Sequence, residues 1–392
     1  MDSRDTKTVV IGAGAAGLAT AAELRRRGVP VLVLERSDAV ASSWRTRYDR
    51  LRLNSSRPFS KLPGSRYARG TGMFPSRNAV VDYLERYARD NELEVRFRTR
   101  VDRIERNGTG WLLQTSTGEI AAEHVVVAAG YEHTFSVPRW PGRDRFAGRL
   151  IHSAEYRRPE EFRGDDVLVV GPGSSGMEVA YDLVEGGARR VRLAVRTPPN
   201  IILRDPLGPL FGRLVVKLPA SWGDRIMNFA RRQKVGDLSA FGLPEPEEGA
   251  VSRLKRLRVA PAIVDRDVIE AIRDGRIEIV GAVESLDESG VRLSDGGRVE
   301  PDAVIAATGY RPRLEPMVGH LEVLDDHGAP IATSGEAAPG LRFVGYIPRP
   351  GQFGLMGREA KEAARGIAAR RRGRAPIRGR AAIARRPAAR GA

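Results

Sequence analysis

Short apolar runs, bounded by glycine or charge, alternate along the chain with longer alanine- and leucine-rich stretches. Lys7 to Ile11 is a β-branched run that enters a Gly-rich turn at Gly12. Ala15 to Arg27 has the composition of a helix, Gly28 ends it, and Val29 to Leu34 reads as a second buried strand. Strand, Gly turn, helix and strand within about 28 residues make a βαβ unit. The pattern returns 159 residues later: Asp166–Val170, a Gly-rich turn from Gly171 to Gly176, a helix over Met177–Glu185 stopped by Gly186-Gly187, and a strand over Val191–Val195. Each copy closes later on an apolar strand with a related ending, Val125-Val126-Val127-Ala128-Ala129-Gly130-Tyr131 and Val304-Ile305-Ala306-Ala307-Thr308-Gly309-Tyr310. Duplicated architecture is a stronger organisational signal than any single motif.

The pattern predicts an α/β fold of two Rossmann-like dinucleotide-binding domains, the second inserted in the first. Residues 1–155 with 300–369 are assigned to the first, and 156–299 to the second. A helix is expected over Asn78–Asp90, and β-hairpins over Val101–Ile120 with turns at Asn107-Gly108 and Thr117-Gly118. Residues 197–260 read as a long Pro-rich, partly apolar, irregular insertion, with a lid as one use for it. Leu341–Val344 reads as a strand, and Met356 to about Ala369 as the last helix.

Length and composition agree with this. At 392 residues and 41% hydrophobic content, the chain suits two globular domains. It has no cysteine, which excludes disulfide chemistry, zinc–thiolate sites and iron–sulfur clusters; no metal is expected. No signal peptide is evident and no apolar run approaches the roughly 20 residues of a transmembrane helix, so the cytoplasm is the expected location. The net charge of +16 is concentrated at one end: residues 365–392 hold ten arginines and no acid, and removing those ten from 65 basic residues leaves 55 against 49 acidic. Residues 370–392 read as a disordered tail. That tail lacks aromatics to stack on bases, so no specific nucleic-acid partner is expected; a homo-oligomer is left open.

The glycines carry the candidate chemistry. Gly12-Ala13-Gly14-Ala15-Ala16-Gly17 follows a strand and opens a helix, and Glu35 stands at the end of the next strand, where an acid bonds a ribose 2′-hydroxyl. Gly171-Pro172-Gly173-Ser174-Ser175-Gly176 has the same context, but Arg196, preceded by Arg189, Arg190 and Arg192, takes the acid's place. A basic residue there accommodates a 2′-phosphate. Two sites of opposite ribose preference point to two dinucleotides, FAD in the first and NADPH in the second, and to hydride transfer between them.

Phe146-Ala147-Gly148-Arg149-Leu150-Ile151-His152-Ser153-Ala154-Glu155-Tyr156 resembles the flavin-containing monooxygenase fingerprint F-x-G-x-x-x-H-x-x-x-(Y/F). Ala41-Ser42-Ser43-Trp44, Tyr48-Asp49-Arg50-Leu51-Arg52-Leu53-Asn54, Ser175-Gly176-Met177-Glu178-Val179-Ala180 and Ala307-Thr308-Gly309-Tyr310 are also similar to that superfamily. With Pro261 to Ile277 they look most like its auxin-forming indole-3-pyruvate monooxygenase branch and bacterial relatives, over roughly residues 7–369. The resemblance implies that NADPH reduces FAD, that O2 adds at flavin C4a, and that one oxygen atom passes to a small organic substrate while the other leaves as water. It implies cofactor contacts from Arg36, Ser43, Trp44, Leu53, Asn54, Ser55, Val101, Thr197, Thr308 and Gly309, beside the glycines, Ala15, Ala16, Ser174, Ser175, Glu35 and Arg196. Asn54 matches an active-site Asn of animal and bacterial members, where His is expected in much of the plant branch. His152 is expected to make a structural hydrogen bond at the domain join. The alternatives are a flavoprotein reductase that passes electrons to a partner and a non-catalytic flavin-binding sensor; amines, sulfides and 2-oxo acids are all open as substrates.

Overall fold

The computed structural model describes residues 8–130, 134–135, 137–257, 259–347, 351–371 and 373. The expected tail, apart from residues 370, 371 and 373, lies outside them, as do Lys7 and Tyr131. Short, mostly apolar strands need cover on both faces, and they form two sheets with helices packed on them. The first sheet runs in the order Glu336–Ala338, Leu341–Phe343, His124–Val127, Thr8–Ile11, Leu32–Leu34, Val95–Arg96. Only its outermost pair, Glu336–Ala338 with Leu341–Phe343, is antiparallel. The second sheet is parallel throughout, in the order Glu278–Val280, Arg190–Ala194, Asp166–Val170, Ala303–Ala306, Arg149–His152.

The two sheets share one plan. The opening strand of each βαβ unit lies centrally, its second strand on one side and its closing strand on the other. Winding therefore reverses between Thr8–Ile11 and His124–Val127, and again between Asp166–Val170 and Ala303–Ala306. Open α/β sheets take their ligands in the crevice beyond the strand ends at such a reversal. Both Gly-rich turns sit there.

The unit boundaries differ from those read in the sequence. Arg149–His152 and Ala303–Ala306, assigned to the first unit, pair in the second sheet. Ala303–Ala306 is that sheet's closing strand, so the repeated phrase locates it better than the linear division does. The helix Ala15–Arg25 is buried all round from Ala15 to Leu24. Its small side chains admit the helix Gln352–Arg371, whose Ala360, Ala363 and Ala364 join the same core. The expected hairpins form a three-stranded antiparallel sheet, Val101–Asn107, Gly110–Thr115 and Gly118–Ala122.

Residues 197–260 are not irregular. They hold the helices Gly208–Val215, Ala220–Lys234 and Ala250–Leu257. Pro209 falls in the first turn of one helix and Pro219 just before another, positions where a missing N–H costs nothing, so the prolines delimit helices instead of breaking them. Among the described residues no helix is long and apolar enough to cross a membrane.

Candidate active site

The two glycine turns are built alike. Gly12 has φ +104°, and a Cβ there would lie 2.6 Å from the Ala128 carbonyl oxygen; a Cβ on Gly17 would lie 1.8 Å from the Gly12 carbonyl oxygen. Gly171 has φ +113° and a Cβ there would lie 2.6 Å from the Ala307 carbonyl oxygen, while one on Gly176 would lie 1.9 Å from that of Gly171. The protein's own packing requires these four glycines. It does not require Gly14 or Gly173, whose added Cβ atoms would meet nothing within 4 Å. In both turns the middle glycine faces open space at the start of a helix with no side-chain cap. Uncapped N–H groups and a helix dipole in front of an open glycine fit a dinucleotide pyrophosphate.

Around the first turn, Ala15 and Ala16 are buried in the first helical turn. Buried Glu35 accepts from the Ala13 N–H at 2.7 Å and the Ser37 N–H at 3.0 Å, which holds its carboxylate against the glycines with lone pairs to spare. Arg36 is exposed beside it. Around the second, the Ser174 hydroxyl accepts from the Ile263 N–H at 2.8 Å, and Ser175 is half-buried. The four arginines near the second strand separate clearly. Arg189 pairs with Asp302 at 3.0 Å, Arg190 with Glu278 at 2.6 Å, and buried Arg192 with Asp166. Arg196 and Thr197 are exposed just past the strand end, and Arg196 makes no ion pair among the described residues.

The segment expected to wrap the flavin lies between the two units. Ser43 is exposed, and Trp44 is half-buried with its ring edge-on to Phe353 at 5.9 Å. Leu53 is buried, and the Ser55 hydroxyl lies 2.7 Å from that of Ser60. Val101 is buried at the start of the three-stranded sheet. Asn54 is exposed and its Oδ1 accepts from Arg204 at 3.1 Å. Arg204 also bonds Asp265 at 2.5 Å and Glu178, and Glu178 accepts from the Tyr48 hydroxyl at 2.7 Å. Burial pushes the Glu178 carboxyl up and Arg204 opposes it; burial raises Tyr48 as well. Glu178 lies on the helix that starts at the second glycine turn, so Arg204 ties that helix to the Asn54 loop. A small cavity of about 160 Å³ opens here, lined by Arg50, Arg52, Glu178, Arg204 and Asp265 among others. Nothing in the spacing singles out Arg204, one arginine in a chain crowded with them. Thr308 is half-buried and Gly309 exposed with φ +88°; both follow the Ala303–Ala306 strand beside Gly171.

A family model described as pyridine nucleotide-disulphide oxidoreductase matches residues 9–204. The chain is 37% identical over 361 residues to the indole-3-pyruvate monooxygenase YUCCA1 of Oryza sativa subsp. japonica, covering 89% of this chain and 87% of that protein. It is 34% identical to the probable indole-3-pyruvate monooxygenase YUCCA1 of Arabidopsis thaliana, covering 89% and 86%. This chain belongs to the class B flavin monooxygenases. It is a flavin-containing, NADPH- and O2-dependent oxidoreductase. The fold agrees: a flavin monooxygenase from Stenotrophomonas maltophilia, in a doubly mutated form, superposes with a TM-score of 0.72 at 24% identity, covering 93% of this chain and 98% of that one. A steroid monooxygenase bound to NADP superposes with a TM-score of 0.71 at 20% identity, covering 93% and 85%. Disulfide reduction, which the family model's description mentions, needs a thiol pair this monooxygenase lacks.

In this monooxygenase the fingerprint residues serve packing. A Cβ on Gly148 would come 2.5 Å from the Phe146 ring and 2.7 Å from the Asp302 carbonyl oxygen. Buried Tyr156 donates to Asp182 at 2.8 Å, on the helix behind the second turn. His152 stacks on Phe135 at 4.8 Å and meets Tyr310 edge-on at 5.2 Å, and its Nδ1 accepts from the Ala154 N–H at 3.0 Å. Burial lowers the pKa of His152 to about 4, and that of His124 likewise. Both rings are neutral at pH 7. An unfolded histidine takes its proton near pH 6.5, a folded one here only near 4, so the stabilisation present above pH 6.5 is lost as pH falls towards 4. Acidification from pH 7.5 to 5 is expected to cost about 1–2 kcal/mol per histidine after allowance for screening. The variant His152→Gln should show a correspondingly shallower fall in urea unfolding free energy over that range; an unchanged slope would remove His152 from the account.

Proposed function

We propose that FAD occupies the turn at Gly12–Gly17, that NADPH occupies the turn at Gly171–Gly176, and that the substrate is a 2-oxo acid. The observation that carries the substrate class is the 37% identity, over 89% of this chain, to a protein named for indole-3-pyruvate. The cavity beside Asn54 has mixed walls, Arg50, Arg52 and Arg204 with Asp49, Glu178 and Asp265; Arg204 is engaged by Glu178 and Asp265, and Arg52, which makes no ion pair among the described residues, is the cation available to a substrate carboxylate. Bound flavin supplies hydride acceptance and O2 activation. The chain's residues bind and orient. Glu35 suits a ribose 2′-hydroxyl and Arg196 a 2′-phosphate. Asn54, with its Oδ1 held by Arg204, would have its amide N–H groups left to donate to the reacting centre, and Arg204 is its positioning residue. Trp44, Leu53, Ser55 and Val101 would line the flavin when it is bound and help to keep water from it. For a 2-oxo acid the balance is one O2 and one NADPH with a proton consumed per substrate; the products are the acid one carbon shorter, CO2, water and NADP+.

Two measurements test this. With indole-3-pyruvate as probe, NADPH consumption should match formation of the shortened acid, and a thioether should be a poor substitute. Efficient thioether oxygenation without turnover of the 2-oxo acid would refute the substrate class. For the cofactor, Arg196→Gln should cut the preference for NADPH over NADH at least about tenfold, chiefly through KM for NADPH. Retained preference would place 2′-phosphate recognition elsewhere.

A further inference from the structure

The helices Gly208–Val215 and Ala220–Lys234 put large apolar side chains into water. Leu207, Leu210, Phe211 and Leu214 recur at i, i+3, i+4 and i+7, the spacing of one helical face. Trp222 and Phe229 lie seven residues apart on the second helix, again on one face. All six are between 42% and 68% exposed. The opposite faces are anchored: Pro209, Val215 and Gly223 are buried, and a Cβ on Gly223 would come 3.0 Å from Val251. The pair is thus fixed to the body on one side and apolar on the other. Six large apolar side chains exposed on two adjoining helices mark an interaction site.

Charge decides what covers it. Residues 207–234 carry six basic residues and one acid, Asp224; Arg231 and Arg232 pair with Glu245 and Lys234 with Asp205, which leaves Arg213, Lys217 and Arg225 as the cations of this stretch without a carboxylate partner among the described residues. Asp224 is turned inward, accepting from the Val251 N–H at 2.7 Å and the Ser252 N–H at 3.2 Å. Lys217 and Arg225 are exposed and make no ion pair among the described residues. A second copy of this surface would set like charges against each other, which disfavours self-association. An anionic lipid surface offers both complements, an acyl boundary for Trp, Phe and Leu and negative headgroups for Lys and Arg. We propose that these two helices seat the enzyme peripherally on an anionic membrane surface.

The Pro206 carbonyl accepts from the Ser56 hydroxyl at 2.5 Å, and the Arg213 guanidinium lies over the Phe59 ring at 5.6 Å. The apolar face therefore adjoins the segment that carries Asn54. A substrate held in the lipid interface would reach the site from that side.

The test uses the full-length, FAD-loaded protein with vesicles of phosphatidylcholine alone and of phosphatidylcholine with 30% phosphatidylglycerol. Binding is expected to the second only, and to weaken with added salt. The double variant W222S/F229S keeps every cation, tail included, and should bind at least about tenfold less. Trp222 is the exposed tryptophan among the four, so lipids brominated in the acyl chain should quench wild-type fluorescence, a reading independent of how the variant folds. Absence of quenching, equal binding by a folded double variant, or a lipid-free dimer that W222S/F229S dissociates would each overturn the proposal.

Discussion

Gly14→Val is expected to yield a protein that folds and holds no flavin. A side chain at Gly14 meets no protein atom within 4 Å, and its backbone, at φ −83° and ψ −176°, suits a β-branched residue. Stability of the apoprotein should therefore stay within about 0.5 kcal/mol of wild type. The added methyl groups would stand where the pyrophosphate must approach the helix N-terminus, so FAD affinity should fall at least about 100-fold, or about 2.7 kcal/mol, and activity with it. Gly17→Ala makes the contrast. Its Cβ would lie 1.8 Å from the Gly12 carbonyl oxygen, so the strand–helix packing itself must give way and apoprotein stability should drop. Apoprotein melting and FAD titration separate the two. Tight FAD binding by Gly14→Val would mean that the open space in front of this turn is not the pyrophosphate site.

Gly173→Val transfers the argument to the second turn with a different readout. That position is equally open, so the fold and the bound FAD should be retained. NADPH should then reduce the flavin poorly, with kcat/KM for NADPH down at least about 100-fold, while dithionite reduces it normally. The pair of variants assigns one nucleotide to each turn. Loss of FAD from Gly173→Val, with normal NADPH reduction in Gly14→Val, would reverse the assignment.

What was legible in the sequence was local. A glycine turn between strand and helix needs positive φ at its first position and close packing at its third, and both needs are met by residues a few positions apart. The repeat at 159 residues exposed the two-sheet plan for the same reason. The unit boundary was hidden because Arg149–His152 and Ala303–Ala306 acquire their sheet through pairing with each other across 154 residues. The helices of residues 197–260 were hidden because prolines that open helices look, in one dimension, like prolines that break them. Among Arg189, Arg190, Arg192 and Arg196, composition favoured none; the carboxylates facing the first three leave Arg196 as the one of the four without an ion pair among the described residues. The Tyr48–Glu178–Arg204–Asn54 connection joins three distant segments and has no spacing signature.

The proposed activity needs a hydride passed from the second turn to a flavin in the first, and reaction of the reduced flavin with O2. The most direct measurement reduces the purified FAD-loaded protein with NADPH without oxygen, mixes it rapidly with oxygenated buffer, and follows flavin absorbance. Bleaching by NADPH is expected, then a transient spectrum distinct from both reduced and oxidised flavin that lasts longer when NADP+ is present. Direct return to oxidised flavin with NADP+ and a 2-oxo acid present, all reducing equivalents recovered as hydrogen peroxide, would contradict it.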